Sequence, residues 1–154
     1  MPAFRLRPAT TGDEDCLRRL AHEGLRPHVE PLEGWDQAHH DRGFHAVFDP
    51  ASVEVIECDG AIAGYRQLHT ASDHLLLAGL YVAAGWRGRG LGGAVLADTC
   101  RQADRAGLPL RLRVHRGNPA RRLYLRHGFV DTAVTATRHL MTRPVTRRAG
   151  PEAR

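Results

Sequence analysis

Residues 87–93 read RGRGLGG, with four glycines in seven positions between the apolar run LLLAGLYV and the segment AVLADTC. Glycine tolerates positive φ and exposes its backbone, so a turn of this kind lets successive amides converge on one anion. The head of a following helix adds its partial positive charge, which makes a phosphate or pyrophosphate the ligand best suited to the stretch. Gly88, Gly90 and Gly93 also fit the G-x-G-x-x-G spacing of dinucleotide-binding turns. That fingerprint calls for an acidic residue about 20 positions on to hold a ribose, and the corresponding LRLRVHRG has none. A Walker A loop is excluded more firmly, because it needs a lysine on the phosphates and all 22 Lys or Arg positions are arginine. A tight strand-to-helix connection without a ligand is the plainer alternative. Two arginines inside the turn, and glycines with no apolar role, weigh against it.

Such a turn needs a strand before it and a helix after it, and the flanking sequence supplies both. HLLLAGLYV reads as a strand, and Leu91–Ala106 keeps apolar or small residues at helical spacing until Gly107 and Pro109. SVEVIEC and AIAGYRQLHT, separated by Asp59-Gly60, form a hairpin that the strand at HLLLAGLYV extends antiparallel. Upstream, Phe4 and Leu6 alternate with Arg5 and Arg7 in a first strand, and Thr11 with Glu14 makes a capping box ahead of Cys16, Leu17, Leu20 and Ala21. Pro27 and Pro31 are expected to break that helix, leaving a second, weaker one over Gly34–Phe48. Downstream, LRLRV is a strand, Asn118-Pro119 starts a helix that runs to His127 and stops at Gly128, and FVDTAV and TRHLMTR close the chain as a strand pair. The order predicts an α/β (α+β) fold with a mixed central sheet of about seven strands and four helices.

At 154 residues and 42% hydrophobic, the chain fits one domain, assigned to residues 1–143, with 144–154 as a flexible basic tail. The net charge of +5 is dispersed and lacks an interleaved aromatic ladder, so nucleic acid is not the expected partner. No apolar run approaches the roughly 20 residues needed to span a bilayer, and MPAFRLRPAT has no secretion-signal core. The expectation is a cytoplasmic protein without a membrane partner. Cys16, Cys58 and Cys100 are widely spaced and read as buried thiols. The histidine-rich HHDRGFH has no supporting ligand set and is not read as a metal site.

Arg87, Gly90 and Gly92 fit the R/Q-x-x-G-x-G/A loop of the GNAT superfamily of N-acetyltransferases. Asn118, Ala120, Leu123, Tyr124, Gly128 and Phe129 resemble its second motif, N-x-A-x-x-L-Y-x-x-x-G-F. The order of elements is similar to that fold over residues 3–142, and EGWDQ, FDP and NPARRLY resemble a group of small bacterial members. The resemblance implies acetyl-CoA as co-substrate, no metal, and a cleft where the strands ending at Val82 and Val114 splay apart. It places the pyrophosphate on the amides of Arg87, Gly88, Arg89, Gly90, Leu91 and Gly92, and the pantetheine arm on main-chain groups of Leu80, Tyr81 and Val82. Asn118 would contact the arm, Tyr124 would point at the sulfur, and Arg121 and Arg122 would meet the adenosine phosphates or form a solvated helix face.

Amine acetylation needs a neutral nucleophile, an oxyanion site and a proton for the departing thiolate. Tyr124, a phenol of pKa about 10, suits the last task, with core packing as the alternative. A main-chain amide near Leu80 or Tyr81 would hold the oxyanion. The base is the gap, because many family members carry a glutamate on the strand before the loop and LLLAGLYV has no ionisable side chain until Tyr81. Glu30, Glu33 and Asp36, in the segment expected to wall the acceptor site, and His115, after the splayed strand, are the candidates, with Glu33 and His115 foremost; a surface or capping role for each, water-mediated deprotonation, and capture of the minor neutral amine are the alternatives. Asp36 equally suits a helix cap, and Trp35 and Trp86 are read as packing residues, with lining the acceptor pocket or shielding the cofactor as the alternative. The expected partners are acetyl-CoA and an amine, with a homodimer allowed. A small-molecule amine comes first, a protein or peptide N-terminus second, and a non-catalytic acyl-CoA binding domain is the competing class.

Overall fold

The computed structural model describes residues 2–146. Strand β1 (Arg5–Pro8) leads into helices α1 (Glu14–Glu33) and α2 (Gln37–Val47), then strands β2 (Val53–Cys58), β3 (Ala61–Thr70) and β4 (Leu75–Val82). Helix α3 (Leu91–Ala106), strand β5 (Leu110–His115), helix α4 (Ala120–Arg126), and strands β6 (Val130–Val134) and β7 (Arg138–Arg143) complete the order. One seven-stranded sheet results, in the order β1-β2-β3-β4-β5-β7-β6. Every neighbouring pair is antiparallel except β4 and β5, whose parallel pairing requires the crossover that α3 supplies. Among the described residues no helix is long and apolar enough to cross a membrane.

Both faces of the sheet are covered. Leu96, Cys100 and Ala103 of α3 pack on Leu75, Leu77, Leu110, Leu112 and Met141, and Leu91 and Val95 reach Ile56, Cys58 and Ala63. On the opposite face Leu17, Leu20 and Ala21 of α1 pack on Val53, Val55 and Tyr65, with Phe44 and Phe48 alongside. The Asp59-Gly60 turn has the expected positive φ at both residues, 51° and 76°.

Four sequence expectations need correction. The capping pair at the head of the first helical segment is Thr10 with Asp13, whose Oδ2 accepts from the Thr10 amide at 2.8 Å, and not Thr11 with Glu14. Helix α1 does not break at Pro27 or Pro31 but runs through both to Glu33, where Gly34 at φ 74° ends it. The prolines are four positions apart on an exposed face, so the carbonyls that lose a donor reach the surface while the buried stripe through Leu17, Leu20, Ala21 and Val29 holds the helix down. Helix α2 consequently starts later, at Gln37, with Asp36 as its cap. Cys16 is only part-buried, one position off that stripe, whereas Cys58 and Cys100 are buried. Of the tail assigned to 144–154, residues 147–154 lie outside the described residues; Thr146 still donates its amide to Asp104 Oδ1 at 3.1 Å.

Gly64 on β3 is the tightest backbone approach near the site. A Cβ there would stand 2.1 Å from the Tyr81 carbonyl oxygen. Gly64→Ala should therefore destabilise the fold by about 2 kcal/mol or more, read as a lower thermal midpoint. Gly93→Ala is the control: its Cβ would meet Leu123 Cδ1 at 3.6 Å, ordinary contact, and helix propensity favours alanine. Equal melting of Gly64→Ala and the wild type would contradict the close approach.

Candidate active site

The site begins where the sheet opens. Strands β4 and β5 pair only at Leu75–Leu110 and Leu76–Arg111, and beyond those residues they separate. At the same level β3 and β4 slip register: Gln67 faces Gly79 while Leu68 faces Leu77, which leaves Ala78 as an extra residue on β4. A bulge of this kind bends its strand and re-aims the groups beyond it. The Ala83 amide donates to the Ala63 carbonyl at 2.7 Å, and antiparallel ladders alternate, so Tyr81 and Gly79 direct their main-chain groups at β3. Leu80 and Val82 direct theirs into the opening. Arg87 Nε occupies the Val82 carbonyl at 2.9 Å, which leaves the Leu80 amide and carbonyl and the Val82 amide facing the cleft.

The glycine turn closes one end. Gly88 and Gly90 both have positive φ, 74° and 80°, and Gly90 is the residue from which α3 starts. The Ala94 amide is the first to bond back, to the Gly90 carbonyl at 3.1 Å. The amides of Leu91, Gly92 and Gly93 precede it and have no acceptor within the helix. They form an anion seat at the positive end of a 16-residue helix. Arg89 turns away and lies over the Trp86 ring, 5.1 Å from its centroid, which leaves Trp86 as packing against the core.

The opposite wall comes from β5 and α4. Asn118 Oδ1 accepts from the Ala120 amide at 2.9 Å, so this side chain fixes the start of α4 beside the cleft. Tyr124 lines the cleft with its ring edge-on to Phe129, centroids 5.7 Å apart. Burial, with a smaller contribution from Tyr81, pushes its phenol pKa up to about 12, so it remains a proton donor at neutral pH. Arg121 is not brought into the cleft: its guanidinium pairs with Asp131 on β6, and Arg122 is exposed. The motif's spacing places Arg121 on α4, but the carboxylate on the neighbouring strand claims it.

The opening holds a cleft of about 440 Å³ bounded by α1, β4, β5, α4 and the glycine turn, and another of about 340 Å³ lies under α1 and α2. Leu25, Ala78, Tyr81, Arg113 and His115 border both. His115 is buried at 8% exposure, and Arg138 Nε approaches its Nε2 at a long 3.4 Å. Burial first, and the Arg138 charge second, hold its pKa below the ordinary histidine value, so the imidazole is neutral at pH 7. Glu33 is exposed at the end of α1, and its charge acts on His115 in the opposite sense, raising its pKa. Glu30 pairs with Arg26, and Asp36 accepts from the His39 amide at 3.1 Å, as a cap does. Trp35 stacks on His40 with centroids 3.8 Å apart.

Several lining residues escaped the sequence reading, notably Tyr65, Gln67, Arg113 and Arg138. A usable signal existed for one of them: alternation along LRLRVH puts Arg111, Arg113 and His115 on a single face of β5. Gly24 also escaped notice. A Cβ there would lie 3.1 Å from Tyr81 Cδ1, so a glycine lets α1 cross closely over the junction of the two clefts.

The sheet thus opens between two parallel strands, with the head of a long helix at one end of the opening and a buried phenol inside it. The chain belongs to the GNAT acetyltransferase family, whose domain model matches residues 49–131. It is an acetyltransferase with acetyl-CoA as co-substrate, and among the described residues no group of His, Cys, Asp or Glu side chains is arranged to hold a metal. The fold is similar to the PaiA N-acetyltransferase of Thermoplasma acidophilum in complex with coenzyme A, 15% identical with TM-score 0.74 over 92% of this chain and 99% of that one. It is likewise similar to Ard1 of Thermoplasma volcanium, 23% identical with TM-score 0.71 over 94% and 99% of the two chains. The ribosomal-protein-S18-alanine N-acetyltransferase of Escherichia coli matches at 19% identity and TM-score 0.70 over 97% of each. No curated protein sequence matches the chain at a significant level.

Proposed function

We propose that the protein moves an acetyl group from acetyl-CoA to the primary amine of a small molecule by direct transfer in a ternary complex. The observation that carries this reading is the meeting of the two clefts at Ala78, Tyr81, Arg113 and His115. A thioester entering along β4 from the glycine turn and an amine entering under α1 and α2 come together there without an intervening covalent enzyme intermediate. The second cleft, about 340 Å³, is of a size that suits a small ligand. The pyrophosphate sits on the amides around Gly88 to Gly93, and the pantetheine arm runs along Leu80 and Val82.

In the transfer, the amine nitrogen bonds to the thioester carbonyl carbon and the carbonyl oxygen gains negative charge. The Leu80 amide is the donor best aimed at that oxygen, because the Tyr81 amide is committed to β3. The carbon–sulfur bond then breaks, and the Tyr124 hydroxyl gives its proton to the thiolate. Before the attack His115, neutral and buried at the junction, accepts one proton of the ammonium, while the Glu33 charge attracts the cation; the second proton, shed by the nitrogen as the amide forms, returns to the Tyr124 oxygen. The reading takes the protein as cytoplasmic.

Rate should rise with pH as His115 loses its proton, and burial places that rise below about 6.5. With an alkylamine acceptor, whose own titration lies at about 10, kcat/KM should show the His115 limb in the acid range, and a weakly basic arylamine, already neutral there, should depend on His115 much less. His115→Ala should remove the limb and lower the plateau by about 10²-fold. An unchanged limb in the variant would return the base to Glu33 or to solvent.

A protein or peptide N-terminus is the second reading, supported by the likeness to the E. coli ribosomal-protein-S18-alanine enzyme. A thiol-release assay with acetyl-CoA over matched panels of small amines and short peptides, with products detected by mass, separates the two. Turnover confined to peptides would overturn the small-molecule reading.

A further inference from the structure

The cleft under α1 and α2 is positively charged in a way that a plain alkylamine would not call for. Strand β5 alternates, so Arg113 and His115 share a face, and the β5–β7 register sets Arg138 directly opposite His115. All three side chains line the acceptor cleft, together with His22, His40 and Gln67. No carboxylate is among the residues lining it. The nearest acids are otherwise engaged or exposed: Asp41 accepts from Arg18 at 2.8 Å and from Gln37 at 2.9 Å, Asp36 caps α2, and Glu33 stands in solvent at the rim.

The best-buried arginines elsewhere are held by acids, while several exposed ones, such as Arg19, Arg42 and Arg111, are not among the described residues so paired. Arg7 holds Asp13 and Glu57, Arg66 holds Glu54 and Asp98, Arg121 holds Asp131, and Arg143 holds Asp104. Neither Arg113 nor Arg138 has a carboxylate partner among the described residues, and the one side-chain hydrogen bond of Arg138 is the long approach to His115 Nε2. What sets Arg113, which is exposed, and Arg138, which is half-buried, apart from the unpaired surface arginines is that both line one cleft with no acid in its wall, where the planar fork of arginine suits an oxyanion bidentately.

We propose that the acceptor amine also carries an oxyanion, a carboxylate in an amino-acid-like molecule or a phosphonate in its analogue, held by Arg113 and Arg138. This rests on the direct-transfer reading and specifies its acceptor. The oxyanion seats against β5 and β7, the amine then lies toward Ala78 and Tyr81 where the clefts meet, and Glu33 at the rim meets the ammonium charge. Recognition of both groups orients the nitrogen toward the thioester. A diamine or polyamine, carrying only positive charge, would be repelled from the same surface.

The test is a panel in which each amine is offered as the free acid, as its carboxamide, as its decarboxylated form and as its aminophosphonate, with kcat/KM measured for each by thiol release. The expected result is a preference of about 10- to 100-fold for an oxyanion-bearing member over its carboxamide, and the arm that wins identifies the oxyanion. In Arg113→Gln that preference should collapse toward one. Arg138→Gln should do the same, and the Arg113 variant decides the point if removal of Arg138 also disturbs His115. Carboxamides or decarboxylated amines used as well as the acids, or a preference untouched by Arg113→Gln, would overturn the proposal while leaving acetyl transfer standing. Failure of every amine to release thiol would overturn both.

Discussion

Replacing Gly90 with valine should abolish useful acetyl-CoA binding, weakening the dissociation constant by about 10²-fold or more, while the protein stays folded. Gly90 sits at φ 80° where the turn becomes α3, and a β-branched residue resists that conformation. Forcing it toward negative φ would swing the amides of Leu91, Gly92 and Gly93 away from their common focus. Bulk at the turn would also hold the pyrophosphate off the backbone. Titration calorimetry with acetyl-CoA, on a variant whose circular dichroism matches the wild type, reads the effect. Wild-type affinity in folded Gly90→Val would mean that the phosphates bind elsewhere.

The second large effect is expected at Tyr124. Phenylalanine keeps the ring against Phe129 and removes only the proton donor, so kcat should fall by about 10²-fold with little change in acetyl-CoA affinity. The phenol is held protonated by burial, at a pKa near 12, which makes it a donor across the working pH range and not a base. The thiolate whose proton it supplies has a conjugate acid near 8.5, so the loss should shrink for a thioester with a better leaving group. An analogue of acetyl-CoA with a more acidic thiol should partly rescue Tyr124→Phe. Unchanged kcat in the variant would return Tyr124 to a packing role.

Much of the fold was legible because local chemistry and long-range packing agree at the turns. Asp59-Gly60, Gly107 and Asn118-Pro119 each place an element end where the structure has one, and the parallel pair β4–β5 is the one that a strand, a glycine turn and a long helix demand. Helix α1 was misread because a proline's local cost is outweighed by a buried stripe that continues past it, through Val29. The glycine turn, Asn118 and Tyr124 stand out in the sequence because each belongs to a contiguous motif, and Gly92, Asn118 and Tyr124 line one cleft. The cleft under α1 and α2 does not stand out in this way, because its wall is assembled from α1, α2, β3, β4, β5 and β7, and only the sheet register brings Arg138 opposite His115. Arg121 shows the converse limit: spacing puts it on the right helix, and a carboxylate ten residues on decides where its charge goes.

The central claim is direct handover of the acetyl group at the junction of the two clefts. Initial-rate kinetics with acetyl-CoA and the best amine of the panel both varied, followed by intact-mass measurement of the protein after incubation with acetyl-CoA alone, tests it most directly. The account predicts intersecting double-reciprocal lines, thiol release that depends on the amine, and a protein mass without an added acetyl group. Parallel lines together with a stoichiometrically acetylated protein that passes its acetyl group to the amine would contradict it.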